Sequence, residues 1–566
     1  MAKLYIVAML TYCISAVSAK KNSFLPCSTS PTPCGVDCSS TTGPTDFDVL
    51  IVGAGLAGLG AAREIELSNK LQLAAGSSDI ITYLVLESSN RVGGRQIAAH
   101  WIVGGGAGKN PISQLGYGCV ASVTVGSDFN QNMHFYKLDG TKFSPTDPVL
   151  ANQTTRWAEA YACLEDTALN GIHNDAQDMT AQDTLRRCGW DPEYEHGDTG
   201  ALQRNLEWNL MDFEYAQRPW TTSTWEGWPE NTYEDLGSTS NLYVTDLRGT
   251  NELSAQEFHK HDICPKICLN RKVTKIDWGS SPIQVSTVAA NDLMNVVKYT
   301  AKHVVSTVST AVLDHELISF DPEITEKLEN MRQVWNTSLY YEIPFQFGSY
   351  DGTSPQPFWP TDQEYISINL DVGLLGRCNL YHVMDYFYPG SNALVCTLTT
   401  EVIEELNLYN PAVVNGLLRE SLGKVFPSLS SFNDCTPCNP PECTFNYRKP
   451  PTPTNGNPTN PQKLGVNECR YRLFQSKDNE NWKGSYPTWR YGGTYANLAA
   501  HWEPLSNSKK NSIVPAGDST CYYYWGFQHG ALWSGVRAGA TVLKSLGVQP
   551  KYHPDTPYYC EKRASL

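Results

Sequence analysis

The stretch Phe47-Asp48-Val49-Leu50-Ile51-Val52-Gly53-Ala54-Gly55-Leu56-Ala57-Gly58 decides how this chain begins to fold. Phe47 to Val52 is an apolar run broken only by Asp48, as expected of a parallel strand buried on both faces. It runs directly into G-x-G-x-x-G, after which Leu59 to Leu67 has helical character. Gly53 permits the tight turn, Gly55 lets backbone approach a pyrophosphate, and Gly58 allows the helix to pack on the strand. The N–H groups around Leu56 and Ala57 open the helix at its positive dipole end, where phosphates are favoured. After a polar loop over 68–79, a second strand from Ile80 to Leu86 ends at Glu87, placed to accept hydrogen bonds from ribose hydroxyls. The loop accounts for a spacing from Gly58 to Glu87 longer than usual. Strand, glycine loop, helix, strand and terminal acid predict a dinucleotide-binding α/β domain.

Two further segments choose between dinucleotides. Arg91-Val92-Gly93-Gly94-Arg95 comes four residues after Glu87. Near the other end stand Pro515-Ala516-Gly517-Asp518-Ser519, then Gly526-Phe527-Gln528-His529-Gly530-Ala531, then Ser534-Gly535. On these two segments the chain resembles the flavin monoamine and polyamine oxidase family, closest in pattern to secreted plant-type polyamine oxidases. The resemblance implies FAD as cofactor. Arg91 would open the motif, Gly94 would admit the cofactor backbone, and Arg95 would lie near the phosphates and flavin. Asp518, where the family normally has Glu, would meet the ribityl chain; Gly517, Phe527, Gln528 and Gly530 would surround the flavin. Cys521 follows Asp518, whereas covalent members use a Cys before this signature, so non-covalent FAD is expected. Weaker matches are His100-Trp101, Gly108-Lys109-Asn110-Pro111, Glu214-Tyr215-Ala216 and Leu247-Arg248-Gly249, with Val273 in a strand that would contact the adenine.

The resemblance also implies the chemistry: hydride transfer from an amine to flavin, an imine that hydrolyses, and electrons passed to molecular oxygen as hydrogen peroxide. Tyr486 and Phe527 fall at the two positions of an aromatic cage, although ordinary aromatic packing explains the same residues. Glu214 is a candidate carboxylate for a cationic amine, and His100 a titratable group beside the flavin. Two family residues are missing. Ser338, in a strand read from Ser338 to Ile343, stands where a water-holding lysine is expected, and Val103 replaces a substrate-binding glutamate. Those departures support a second reading: a secreted protein that keeps FAD as a structural element, or a dehydrogenase slow with oxygen. No Lys or Arg lies between Arg95 and Lys109 to clamp a substrate carboxylate, which disfavours an L-amino acid oxidase.

The rest of the chain sets the frame. Its 566 residues are too many for a single core, and 41% hydrophobic with 18% charged residues is a globular composition. A net charge of −15 argues against nucleic acid and anionic membranes as partners. Residues 1–19 read as a signal peptide and not a stable membrane anchor, so the protein is expected to be extracellular. Beyond Cys13, sixteen of the 17 cysteines remain, an even number that predicts disulfides; zinc on Cys435 and Cys438 lacks a partner pair. Asn152 and Asn336 open glycosylation sequons, the second in an expected strand. The expected fold is a two-domain α/β flavoprotein, its Rossmann-type FAD domain assembled from 46–120, 240–310 and 463–550. A substrate domain with a mixed sheet would take 121–239 and 311–462, including a Pro-rich insertion over 435–462. A Cys-rich lead-in covers 20–45 and a tail 551–566.

Overall fold

A computed structural model describes residues 33–40, 43–97, 101–104, 110–115, 133–173, 177–192, 196–225, 242–244, 249–290, 292–348, 357–371, 374, 376–438, 464–475, 479–551 and 560. The apolar run forms β1 (Asp46–Val52), followed by helix α1 (Leu56–Ala74) and β2 (Tyr83–Leu86). β1 lies between β2 and β4 (Asp292–Ser306), parallel to both, while β3 (Ile267–Leu269) extends the sheet beyond β2. β5 (Ser512–Pro515) joins parallel on the far side of β4.

β4 is longer than the four residues from His303 to Ser306 that the sequence suggested. Its first part alternates in exposure and pairs antiparallel with the strand Ile283–Ala289, which in turn pairs with Arg271–Asp277. Only its last residues sit beside both β1 and β5, and those alone carry the continuous apolar signal of a doubly covered strand.

Helix α2 (Gln528–Ser545) crosses α1 on one face of this sheet. Ala57, Ala61 and Ile65 share a core cluster with Leu532, Ala538 and Val542. The crossing is close because Gly60 and Gly535 lie at it: a Cβ on Gly535 would collide with the Ala57 carbonyl, and one on Gly60 with the Leu532 carbonyl.

A second sheet runs Tyr340–Phe347, Ala393–Thr399, Leu380–Val383, Tyr365–Ile368, with Met133–Tyr136 parallel at its edge. Its register divides its side chains. Tyr341, Ile343 and Phe345 turn to a core with Ile366, Tyr381, Leu394 and Leu398, closed by the helix Pro411–Val425. Tyr340, Glu342, Thr397, Thr399, His382 and Tyr365 therefore share the opposite face. Ser338 belongs to neither set, because this strand begins at Tyr340 and not at Ser338. The helical spacing from Glu401 to Leu422 is split into Thr400–Glu405 and Pro411–Val425, since Pro411 can begin a helix but cannot continue one.

Six disulfides join described residues: Cys34–Cys264, Cys38–Cys268, Cys163–Cys188, Cys378–Cys396, Cys435–Cys469 and Cys521–Cys560. Cys435 is thus bonded away from Cys438, and no three His, Cys, Asp or Glu side chains group as metal ligands among the described residues. Among those residues no helix is long and apolar enough to cross a membrane. Asn152 is exposed on the helix Pro148–His173, whereas Asn336 is half-buried and donates to the Thr221 carbonyl at 3.1 Å.

Candidate active site

The glycine loop is built as its spacing requires. Gly53 has φ +103°, and its N–H donates to the Leu86 carbonyl at 2.8 Å, locking loop to β2. A Cβ on Gly58 would collide with the Gly53 carbonyl. Gly55 precedes α1 without any side-chain cap, so the first N–H groups of the helix, from Leu56 and Ala57 onward, keep their capacity for an anion.

Glu87 is buried at the end of β2. One carboxylate oxygen accepts the Ser89 N–H at 2.9 Å and the Ser89 hydroxyl at 2.5 Å, which fixes its orientation, while the other accepts the Ala54 N–H at 2.7 Å and keeps a lone pair for a hydroxyl donor. Arg91 turns inward: it donates to the Val92 and Gly94 carbonyls at 3.1 and 2.9 Å and lies 5.6 Å over the Trp482 ring. Gly94 faces Gly55 so closely that a Cβ there would stand 3.3 Å from the Gly55 Cα. Val273 is buried among Leu50, Val52 and Leu86.

Arg95 joins the two ends of the chain. Its guanidinium meets the Asp518 carboxylate at 2.6 Å and also donates to the Ser485 carbonyl. Gly517, whose N–H donates to Ser534 Oγ at 2.9 Å, carries Asp518 into this bridge. Gln528 donates to the Trp101 carbonyl at 2.9 Å and accepts from Gln96 at 3.0 Å. Gly530 packs under the Tyr524 carbonyl with no room for a side chain. An uncapped helix start, an oriented buried acid, a backbone channel between facing glycines and an Arg–Asp bridge fit FAD: Glu87 would hold the adenosine ribose, α1 the pyrophosphate, and Arg95 with Asp518 the approach to the ring.

Tyr486 follows Ser485 directly, and its ring lies against Gly526, where a Cβ would stand 3.4 Å from Tyr486 Cδ2. Phe527 is the next residue, half-buried with its ring 5.2 Å from that of His529. The two cage candidates are thereby brought together. Tyr486 donates to the Glu214 carbonyl at 2.5 Å and accepts from the Tyr340 hydroxyl, and the two tyrosine rings are 5.7 Å apart. Burial pushes both phenols well above their ordinary range, with the Glu214 carboxylate adding to the effect.

Glu214 is exposed to solvent yet surrounded by protein, so it lines an internal cleft, and burial raises its carboxyl. Glu214 and Glu342 both act on the phenols of Tyr340 and Tyr365, which places the four side chains around one space. Ser338 does not open onto it. That serine is fully buried, its hydroxyl donating to the Tyr215 carbonyl at 3.1 Å and lying 2.9 Å from Thr488 Oγ1. The strand expected from Ser338 starts instead at Tyr340, and Tyr340 and Glu342, not Ser338, are what this part of the chain presents to the cleft. Val103 is half-buried with its carbonyl accepting from Asn110 at 2.6 Å; His100 lies outside the described residues. Tyr340, Glu342 and Tyr365 carry no motif in the sequence, although strand alternation from Tyr340 to Phe347 would have sorted Tyr340 and Glu342 to one face.

Solved structures of putrescine oxidase share this fold. The wild type bound to putrescine matches with a TM-score of 0.57 at 15% identity, covering 88% of this chain and 99% of that one. A double mutant from a redesign of its cofactor binding matches with the same TM-score, identity and coverage. No curated protein sequence matches the chain. The sequence model of flavin containing amine oxidoreductases matches residues 232–543. That span is more than half of the 566 residues, and the chain belongs to the flavin-containing amine oxidoreductases.

Proposed function

We propose that this protein is an FAD-dependent oxidoreductase acting on an amine, working outside the cell with molecular oxygen as electron acceptor and hydrogen peroxide as by-product. When bound, FAD supplies the hydride acceptor. The chain's own residues do the rest. Tyr486 and Phe527 frame the approach of the amine, and the Glu214 carboxylate attracts its cationic form into the cleft. The product imine hydrolyses in water. The observation that carries this reading is the Arg95 bridge: it sets Ser485, and hence Tyr486, against Asp518 and the Gly526-Phe527 turn. The putrescine bound in the similar structure makes small diamines the first compounds to try. Six disulfides support an oxidising, extracellular location, and exposed Asn152 suits glycosylation there.

The test is an anaerobic titration of the purified flavoprotein with monoamines, diamines and polyamines, followed at the flavin band near about 450 nm. Bleaching by any of them supports the reading; a band unmoved by the whole panel overturns it. A second reading, a flavin dehydrogenase slow with oxygen, is favoured by the cleft face of Tyr340–Phe347, which presents Tyr340 and Glu342 and no lysine. Stopped-flow reoxidation in air separates the two.

A further inference from the structure

Three consecutive carbonyls at one helix end are each taken by a hydroxyl from a different part of the chain. Tyr486 donates to Glu214 at 2.5 Å, Ser338 to Tyr215 at 3.1 Å, and Thr400 to Ala216 at 2.7 Å. The last carbonyls of a helix have no intrahelical partner, and here side chains supply all three. The hydroxyls are themselves held. Tyr340 donates to Tyr486, Thr488 lies 2.9 Å from Ser338, and Thr400 accepts the Leu339 N–H at 3.0 Å.

The backbone they hold is unusual twice over. The helix Gly197–Glu207 passes into a π turn over Trp208–Asp212 before Phe213–Tyr215, and such turns are frequent at functional sites. The turn then ends at Ala216 with φ +50°, a left-handed conformation that is strained for a non-glycine residue. An ion pair of 2.7 Å between Asp212 and Arg218 straddles it. Tyr215 and Ala216 are buried, while Glu214 between the π turn and that bend is exposed in the enclosed cleft. Among the described residues no cation pairs with its carboxylate.

We infer that Ser338 and Thr400 are positioning residues, whose hydroxyls fix the turn that presents Glu214 to a substrate ammonium. This rests on the amine reading above. Ser338 then acts on the substrate through Glu214, from a place the substrate never reaches.

A double-mutant cycle tests it, using whichever amine bleaches the flavin of the wild-type holoenzyme. Ser338→Ala and Thr400→Val should each raise KM roughly tenfold, about the loss of one well-placed hydrogen bond, with the change falling mainly in KM. Ser338→Thr, which keeps the hydroxyl, should recover most of the loss. In a Glu214→Gln background, adding Ser338→Ala should raise KM no further. Equal and independent losses in that background, or a loss confined to kcat, overturn the inference while the amine reading stands. If no amine bleaches the wild-type flavin, the amine reading fails and this falls with it. Thr400→Val carries the same cycle should Ser338→Ala fail to fold.

Discussion

Glu214 and Ser338 make opposite demands on their surroundings, and each leads to a measurement. Burial holds the Glu214 carboxyl above its ordinary range, so it takes up its proton at a higher pH than a free side chain. Only the ionised form attracts an ammonium. KM for a cationic amine should therefore fall as pH rises through that raised pKa, by about tenfold per pH unit on the acid side. Glu214→Gln should flatten this limb, which steady-state kinetics across the acid range will show. Ser338 invites a repair that its burial forbids. Ser338→Lys would place an ammonium at a fully buried position already filled by contacts to Tyr215 and Thr488. The expected result is a stability loss of roughly 2–4 kcal/mol and no faster flavin reoxidation. Chemical denaturation and stopped-flow kinetics give the two numbers.

At the level of elements, the cofactor half was legible because its signals are contiguous: β1, the glycine loop, α1 and Glu87 succeed one another along the chain. The Glu214 turn was not, because its three hydroxyl partners come from residues 338, 400 and 486, far apart in sequence and chemically ordinary. The cleft-facing residues of the neighbouring strand were hidden for a related reason. A resemblance assigned by position ignores side-chain alternation, and the register of Tyr340–Phe347 against Ala393–Thr399 decides which residues reach the cleft. The α1–α2 crossing offers its own test. Gly535→Ala puts a methyl group into the Ala57 carbonyl and must push α1 away from α2. A stability loss of about 1–3 kcal/mol is expected, with weaker FAD retention, because α1 starts at the glycine loop. Thermal melting and flavin release on gel filtration check both.

Across the whole molecule, the cofactor sheet is held at one edge by covalent bonds. The short strand Val36–Asp37 pairs with β3 between Cys34–Cys264 and Cys38–Cys268, two bridges that each span 230 residues. β3 also accepts the Glu87 N–H on the Cys268 carbonyl at 2.9 Å, so the edge bears on the buried acid. Removing the pair by Cys34→Ser with Cys38→Ser should cost about 2–5 kcal/mol and raise the dissociation constant for FAD; fluorescence titration of the apoprotein measures the second effect. The same topology governs how the protein comes into being. β1 leaves the ribosome about 250 residues ahead of the part of β4 that lies beside it. At ordinary rates of synthesis that is a wait of roughly 10 to 50 seconds. Until residue 306 has been translated β1 has only β2 for company and must be shielded, and the apolar end of β4 must then wait for β5 at residues 512–515.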